Sequence, residues 1–379
     1  MGIADDPPEA VPARRARRTK LLSSRVGRWV AGRPHRAAHI VDRTVELQPA
    51  EIAGLESATE SVTLRLRIYR PSGSAPGPLP AVVLFHGGGW VLGEPEQDEW
   101  WASHLAVDTP CVVVSVAYRL APEHPYPAAV LDAWAALDWV VTHADELAAD
   151  PARVVVAGDS AGGNLAAVVA DLAGQAGAPA LAGQVLVYPA AEMEEVFPSE
   201  REHANAPVLT SRQMRAFSRL YLDGADPSAP TAAPLHGTLS GAAVPALIQV
   251  AGHDPLRDNG VFYAEALRGR VDGMIVMAPH LSGDELAAAL PGRTPVVLVN
   301  TPAEGHDGIR IDNAAGARAV AEHFLDRGRK RIVHRPNDRF QSCFPGLPDN
   351  PWSSKCAVKR NLICVNSNRC FNHVHASKA

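Results

Sequence analysis

The chain has 379 residues, enough for one large domain or two ordinary ones. Hydrophobic residues make up 46% and charged residues 20%, which excludes general disorder, and no run of about 18 apolar residues predicts a membrane span. The net charge of -5 is unevenly distributed, because residues 44–327 hold 35 acidic and only 16 basic side chains. A body this acidic disfavours nucleic acid as a partner.

The N-terminal segment MGIADDPPEA carries acids and prolines, and no apolar stretch follows its basic residues, so no secretory signal is predicted. Cys111 stands alone in an apolar run, whereas the other four cysteines fall within the last 37 residues. This usage predicts a cytoplasmic, disulfide-free body. A zinc site of tail cysteines with His373 and His375 lacks the usual C-x-x-C pair, so no metal is expected there.

In chain order, residues 1–60 contain Leu21, Leu22, Val26, Trp29 and Val30 at helical spacing, which predicts an amphipathic helix. A strand is predicted from Val62 by alternating apolar residues. Continuous apolar runs then predict buried strands, and helical spacing predicts helices between them. The strands are at 81–85, 111–118, 153–158, 184–189 and 245–252, and the helices are at 128–143, 161–174 and 259–268. This alternation predicts an α/β fold with a mostly parallel sheet flanked by helices.

Residues 190–240 interrupt that alternation. They are rich in Glu, Pro and Ala and contain one helical stretch around residues 212–222. An insertion of this kind between two sheet strands predicts a lid over a site.

The strongest chemical signal is the G-x-S-x-G pentapeptide that runs from Gly158 to Gly162. It follows a predicted buried strand and precedes an Ala-rich helix, and this context makes Ser160 a candidate nucleophile. The glycines permit a sharp turn that exposes the serine oxygen. The helix that begins at Ala161 directs free N–H groups toward a developing oxyanion.

A second signal, His86-Gly87-Gly88-Gly89-Trp90, also follows a buried strand. Three glycines let the backbone approach a substrate and direct its N–H groups inward, as in an oxyanion-hole loop. His86 is interpreted as a structural residue of this loop rather than as a proton shuttle.

The third signal is GHDPLRD, residues 252–258, after the strand at 245–252. A carboxylate at a strand end, downstream of the nucleophile, is placed to orient a catalytic imidazole. The position nearest the strand favours Asp254 over Asp258, which is better placed to support the helix that follows.

Four motifs in this order, HGGGW, YRLAPEHPYPA, GDSAGGNLAA and AGHDPLRDNG, resemble the hormone-sensitive-lipase-like (family IV) esterases of the α/β-hydrolase superfamily over residues 60–267. The resemblance implies an α/β-hydrolase fold with a helical cap and a serine carboxylesterase that acts on short to medium acyl esters. It implies Ser160 as nucleophile, Asp254 as the acid that orients the base, and the N–H groups of Gly88, Gly89 and Ala161 as the oxyanion hole. Small-molecule esters are the implied partners, no cofactor or metal is implied, and a homodimer is compatible with the family.

The resemblance stops near residue 267. Residues 271–333 resemble instead a fragment of the effector-binding domain of lac-repressor-type regulators, most clearly in IDNAAGARAVAEHFL. The fragment lacks the DNA-binding headpiece, so neither a sugar site nor DNA binding is expected of it. Residues 334–379 are Asn-, Cys- and Lys/Arg-rich, and we expect a disordered, non-native tail. The predicted organisation is therefore an N-terminal cap region (1–60), a core (61–267) with a cap insertion at 190–240, the repressor-like fragment (268–333) and the tail.

The expected His-Gly turn of the catalytic base is missing downstream of Asp254. His280 follows the apolar run GMIVMA and precedes a helical stretch, which repeats the required order of strand, loop and histidine. His306 lies one predicted strand further along. A chain without a functional histidine is the third alternative, and it predicts a catalytically impaired ligand-binding protein.

Overall fold

The computed structural model describes residues 7–22, 32–48, 52–53, 55, 60–73, 77–177, 179–239 and 244–267, together with the backbone of four short strands between residues 273 and 377. The two candidate bases, His280 and His306, lie outside the described residues. Most of the repressor-like fragment and of the predicted disordered tail also lies outside them, so those assignments stay predictions.

The described chain forms seven α-helices and eleven strands in two units, the first of which extends to Val276. The helices are α1 (Val11–Leu22), α2 (Glu99–Asp108), α3 (Ala128–Thr142), α4 (Ala161–Ala176), α5 (Pro198–Glu202), α6 (Ser211–Leu222) and α7 (Arg257–Ala266). The strands of the first unit are β1 (Ala38–Leu47), β2 (Val62–Pro71), β3 (Leu79–Phe85), β4 (Val112–Val116), β5 (Ala149–Asp159), β6 (Gly183–Val187), β7 (Ala246–Ala251) and β8 (Gly273–Met277). Among these helices, none combines the length and the hydropathy needed to cross a membrane.

The first unit is built on one sheet with the strand order β1-β2-β4-β3-β5-β6-β7-β8. Strands β4, β3, β5, β6 and β7 run parallel, whereas β1 and β2 extend one side through antiparallel pairing. The side chains of β4 and most of those of β3 are buried, as expected of parallel strands covered on both faces. The prediction of a mostly parallel sheet flanked by helices is confirmed.

The second unit is described through β9 (Val296–Val299), β10 (Asp307–Ile311) and β11 (Val374–Ser377). β10 pairs parallel with β9 and antiparallel with β11. The residues of β11 fall within the range for which the sequence predicts disorder.

Two elements of the first unit differ from the expected pattern. β1 lies in the region predicted to be helical, and its full length pairs with β2 from Ala38↔Pro71 to Leu47↔Val62. Helix α2 follows the glycine loop and was not predicted. All β1 side chains except the last, Leu47, are half-buried or exposed, so this strand depends on its distant partner rather than on a strong apolar run of its own.

The strand register brings the chemical motifs to one edge of the sheet. Phe85, the last residue of β3, pairs with Gly158 of β5, and Asp159 pairs with Val187 of β6. Parallel strands end on the same side, so the loops that follow β3, β5, β6 and β7 meet there. This edge therefore carries the glycine loop, Ser160 and the segment around Asp254.

Candidate active site

Ser160 is the single residue between β5 and α4, and its backbone lies in the positive-φ region at φ 54°. Such a conformation is costly for a residue with a Cβ and is typical of functional sites. A Cβ on Gly158 would overlap the backbone of Gly162, and a Cβ on Gly162 would overlap the carbonyl of Phe85. The two flanking glycines are therefore required by the close approach of α4 to the sheet.

The backbone around Ser160 is held by hydrogen bonds on both sides. The Ser160 N–H donates to the carbonyl of Val187 at 2.8 Å, and its carbonyl accepts from the N–H of Asn164 at 3.0 Å and of Ala190 at 3.2 Å. The Asn164 side chain is buried, and its amide donates to the carbonyls of Ala190 and Ala232. These bonds tie the turn to two segments distant in sequence and offset the strain at Ser160.

The glycine loop lies beside Ser160 and is anchored through Gly87. The Gly87 N–H donates to Oδ1 of Asp159 at 2.7 Å, and the Gln97 side chain donates to the Gly87 carbonyl at 2.8 Å. Gly88 (φ 132°) and Gly89 (φ 63°) adopt positive φ angles. Among the described residues, no acceptor binds the N–H of Gly88 or Gly89. Both donors are therefore available to an oxyanion.

His86 is buried at the base of the loop, with 1% of its surface exposed. Its ring stacks on Tyr118 with a centroid distance of 4.3 Å, and the Tyr118 hydroxyl donates to the His86 carbonyl at 2.7 Å. The ring nitrogen Nδ1 lies 3.0 Å from the carbonyl oxygen of Gly87. These contacts support the loop and agree with a structural role for His86.

A second buried carboxyl lies behind the loop. Burial and the neighbouring charge of Asp159 raise the pKa of Asp98 well above its usual range. Oδ2 of Asp98 is buried and has no hydrogen-bond partner among the described residues. Burial and the like charge of Asp159 both disfavour the ionised form of Asp98, so its protonated form is favoured to a higher pH than in an ordinary aspartate.

Asp254 and Asp258 have different environments after β7. Burial raises the pKa of Asp254, against the lowering effects of a hydrogen bond from the Leu256 N–H at 2.9 Å and of the nearby His203. Asp254 lines the same cavity as Ser160. Asp258 instead accepts from the backbone N–H of Ser199 at 2.8 Å and from the Arg257 side chain, and thereby ties α7 to α5.

The cavity has a volume of about 1220 Å³. Ser160, Gly88, Gly89 and Asp254 line it, whereas Ala161 is the buried first residue of α4. Its apolar wall is formed by side chains of the glycine loop, of α6 and of the segment just before α6, including Trp90, Leu92, Met214, Phe217, Val208 and Leu209. The structure thus places four of the predicted site residues, Gly88, Gly89, Ser160 and Asp254, around one cavity, and Ala161 follows Ser160 in the chain.

Sequence reasoning missed Glu192 as a residue of this cavity. Its Oε1 accepts hydrogen bonds from the backbone N–H groups of Met193 and Glu194, each at 2.8 Å, and its Oε2 lies 2.7 Å from Nε2 of His236. Glu192 lies in the segment after β6. No sequence motif identifies a carboxylate that accepts hydrogen bonds from the backbone N–H groups of the residues that follow it. His253 also lines the cavity, and its ring lies edge-on to that of His203.

A group outside the cavity brings three potential metal ligands together, from His35, His104 and Asp108, with ligand atoms within 4.8 Å of one another. Nδ1 of His35 accepts a hydrogen bond from the Ala37 N–H at 3.1 Å. The neutral ring therefore carries its proton on Nε2 and offers no lone pair there. We assign no metal to this group.

The family model that matches the chain is described as the alpha/beta hydrolase fold, and it covers residues 82–277. The chain is similar to carboxylesterase NlhH of Mycobacterium tuberculosis, with 50% identity over 194 residues that make up 50% of this chain and 60% of the relative. It is also similar to an ethyl acetate hydrolase of Pseudomonas putida, with 36% identity over 224 residues that make up 58% of this chain and 70% of the relative.

Among solved structures, the chain is similar to a hyperthermophilic esterase from the archaeon Pyrobaculum calidifontis. The TM-score is 0.61 and the identity is 37%, over 72% of this chain and 82% of that chain. The chain spans about 60% of the length of the mycobacterial relative.

Proposed function

Because the chain belongs to the alpha/beta hydrolase fold family, we propose that it is a serine carboxylesterase that acts on small-molecule esters of short to medium acyl chains. The observation that carries the proposal is the positive φ of Ser160 at the junction of β5 and α4, where it faces the same cavity as Gly88, Gly89 and Asp254. The named esterase and hydrolase relatives support the reaction class.

In the first half of the proposed reaction, Oγ of Ser160 attacks the ester carbonyl carbon. The carbonyl oxygen becomes an oxyanion, which accepts hydrogen bonds from the N–H groups of Gly88, Gly89 and Ala161. Donors fixed before the reaction stabilise this charge without reorganisation, and each is worth about 2.7–4 kcal/mol in comparable enzymes. The bond from Gly87 to Asp159 holds the loop in this orientation.

A histidine removes the Ser160 proton and then protonates the leaving alcohol, while Asp254 orients the imidazole and stabilises its charged form. His280 is the proposed base and His306 the alternative. Collapse of the intermediate expels the alcohol and leaves an acyl-serine. Water, activated by the same histidine, hydrolyses the acyl group as a carboxylic acid and restores the serine.

The apolar wall formed by Trp90, Met214 and Phe217 suits an acyl chain, and the cavity volume suits a small ester. No step of this mechanism uses a metal or a cofactor. A cytoplasmic location and a homodimeric state stay predictions.

The test is labelling with a fluorophosphonate probe, followed by kinetics with 4-nitrophenyl butyrate. The intact protein should form one covalent adduct, and Ser160→Ala should form none and lose about 10⁶ in kcat, as in a comparable triad. Ser218→Ala is the matched control, because Ser218 lines the same cavity but lies on α6. Equal labelling of Ser160→Ala and the intact protein would remove Ser160 from the mechanism.

The same experiment separates catalysis from ligand binding. If the intact protein neither forms the adduct nor releases a burst of 4-nitrophenol, the alternative of an impaired ligand-binding protein replaces the esterase. Parallel His280→Ala and His306→Ala variants identify the base. The functional histidine is the one whose replacement lowers kcat by several orders of magnitude while the protein still forms its native fold.

A further inference from the structure

One face of the N-terminal helix lines the candidate active site. Ala10, Ala13, Arg14 and Arg17 all border the cavity, with the i, i+3, i+4, i+7 spacing of a single helical face. Arg14 on this face is half-buried, and Arg17 is exposed. The sequence alone assigned this segment only a general covering role.

The orientation of this face is held by residues on the other side of the helix. Val11 is fully buried in a cluster with side chains of the glycine loop and of α6. The Arg15 guanidinium donates to the carbonyl of Val91 at 2.8 Å and to that of Ala121 at 2.6 Å, and it pairs with Glu123 at 3.0 Å. These anchors keep the charge of Arg17 at the cavity.

The carboxylates that line the cavity already have partners. Asp159 binds the Gly87 N–H, Glu192 binds His236, and Asp254 accepts from the Leu256 N–H. Arg17, in contrast, is exposed, and it forms no ion pair with any carboxylate that the structure describes. Its charge is therefore available to a substrate.

The acidic residues around Arg17 affect how strongly the cavity discriminates between anionic and neutral substrates. Residues 44–327 hold 35 acidic against 16 basic side chains, so the body repels an anionic ligand at long range. A cation at the opening counteracts that repulsion locally, within about 10 Å at moderate salt.

We propose that Arg17 selects esters that carry a carboxylate elsewhere in the molecule, such as monoesters of dicarboxylic acids. This inference rests on the proposed esterase function and adds the substrate class. Arg17 interacts with the free carboxylate of the substrate, and the ester carbonyl lies at Ser160.

The experiment compares kcat/KM for two matched pairs of esters. On the acyl side, 4-nitrophenyl valerate is compared with mono-4-nitrophenyl glutarate, which has the same number of acyl carbons and a terminal carboxylate. On the alcohol side, phenyl acetate is compared with 4-acetoxybenzoate. The ratio of anionic to neutral substrate is measured for the intact protein, Arg17→Gln and Arg17→Glu, so that the intrinsic reactivity of each ester cancels.

In at least one pair the ratio should fall roughly threefold in Arg17→Gln and roughly tenfold in Arg17→Glu, as expected for one and two unit charges at a partly solvated site. The pair that responds identifies the end of the substrate that carries the carboxylate. The factor by which Arg17→Gln lowers this ratio should shrink as NaCl is raised from about 20 to about 500 mM, because salt screens the charge that the variant removes. Arg36→Glu is the control, because Arg36 is exposed just before β1, whose start lies at the sheet edge opposite Ser160.

If Arg17→Glu keeps both ratios within about twofold of the intact protein while the neutral esters are still hydrolysed, the carboxylate inference is wrong and the esterase function stands. An equal loss on anionic and neutral esters would also overturn it, since it would reveal a role in folding of the helix alone. If the intact protein hydrolyses none of the four esters, the proposed function fails and the substrate inference fails with it.

Discussion

Replacing Asp98 by asparagine should stabilise the protein by an amount that grows with pH. Asp98 lies behind the glycine loop, and burial together with the charge of Asp159 raises its pKa well above the usual range. Asparagine keeps the size of the side chain and removes the ionisable group. The variant therefore isolates the cost of placing a titrating carboxyl at this position.

The sign follows from the direction of the shift. Between the unfolded pKa of about 3.9 and the raised folded pKa, the folded state of Asp98 holds a proton that the unfolded chain has released. The stability that this proton provides is complete below about pH 3.9 and is lost as the pH rises, at up to about 1.4 kcal/mol per pH unit, until the folded pKa is passed. Asp98→Asn has no ionisable group at this position, so its stability does not fall with pH for this reason.

The other groups near Asp98 do not reverse that sign. The charge of Asp159 acts in the same direction as burial, since it also raises the pKa of Asp98. Tyr118 and Tyr188 also face the pair, and burial raises the pKa of each further above its ordinary alkaline value. Neither phenol therefore ionises in the pH range in which Asp98 releases its proton.

The assay is urea unfolding of the intact protein and Asp98→Asn at pH 5, 6 and 7, monitored by tryptophan fluorescence. The difference in free energy of unfolding, variant minus intact protein, should rise by about 1.4 kcal/mol per pH unit before it levels off. Asp138→Asn, at an exposed position of α3, controls for the chemistry of the substitution. A difference that is independent of pH, or that falls with pH, would refute the argument that Asp98 is protonated in the folded state.

Two further predictions concern the turn at Ser160 and the anchor of α1. Gly162→Ala should destabilise the protein by at least about 1–3 kcal/mol in thermal or urea unfolding, because the new Cβ overlaps the backbone carbonyl of Phe85. Gly177→Ala, where no atom lies within 4 Å and only the φ of 68° opposes a side chain, should cost about 1 kcal/mol, and an equal cost at both glycines would contradict the steric argument. Arg15→Ala should expose α1 to proteolysis and cost about 1–3 kcal/mol through its lost hydrogen bonds. Unchanged protease resistance would show that Val11 alone holds the helix.

The sequence by itself determined the α/β-hydrolase fold and the local framework of the candidate site, and the comparisons confirm that fold class. The signals were local. A continuous apolar run predicts a buried parallel strand, and the glycines around Ser160 are required by a turn only five residues long. The positions of Gly88, Gly89 and Asp254 followed for the same reason, since each lies directly after such a strand.

Only the tertiary structure decided which distant groups share the cavity. The strand register places the loop of Gly87 beside Asp159, 72 residues away, and creates the buried pair with Asp98 that no local pattern marks. The anchors of α1 place Arg17 at the cavity, and these contacts with Val91, Ala121 and Glu123 join segments far apart in sequence. β1 likewise forms through pairing with β2 rather than through its own apolar pattern. Burial, register and charge proximity depend on chain segments far apart in sequence, and these emerge only when the whole sheet is assembled.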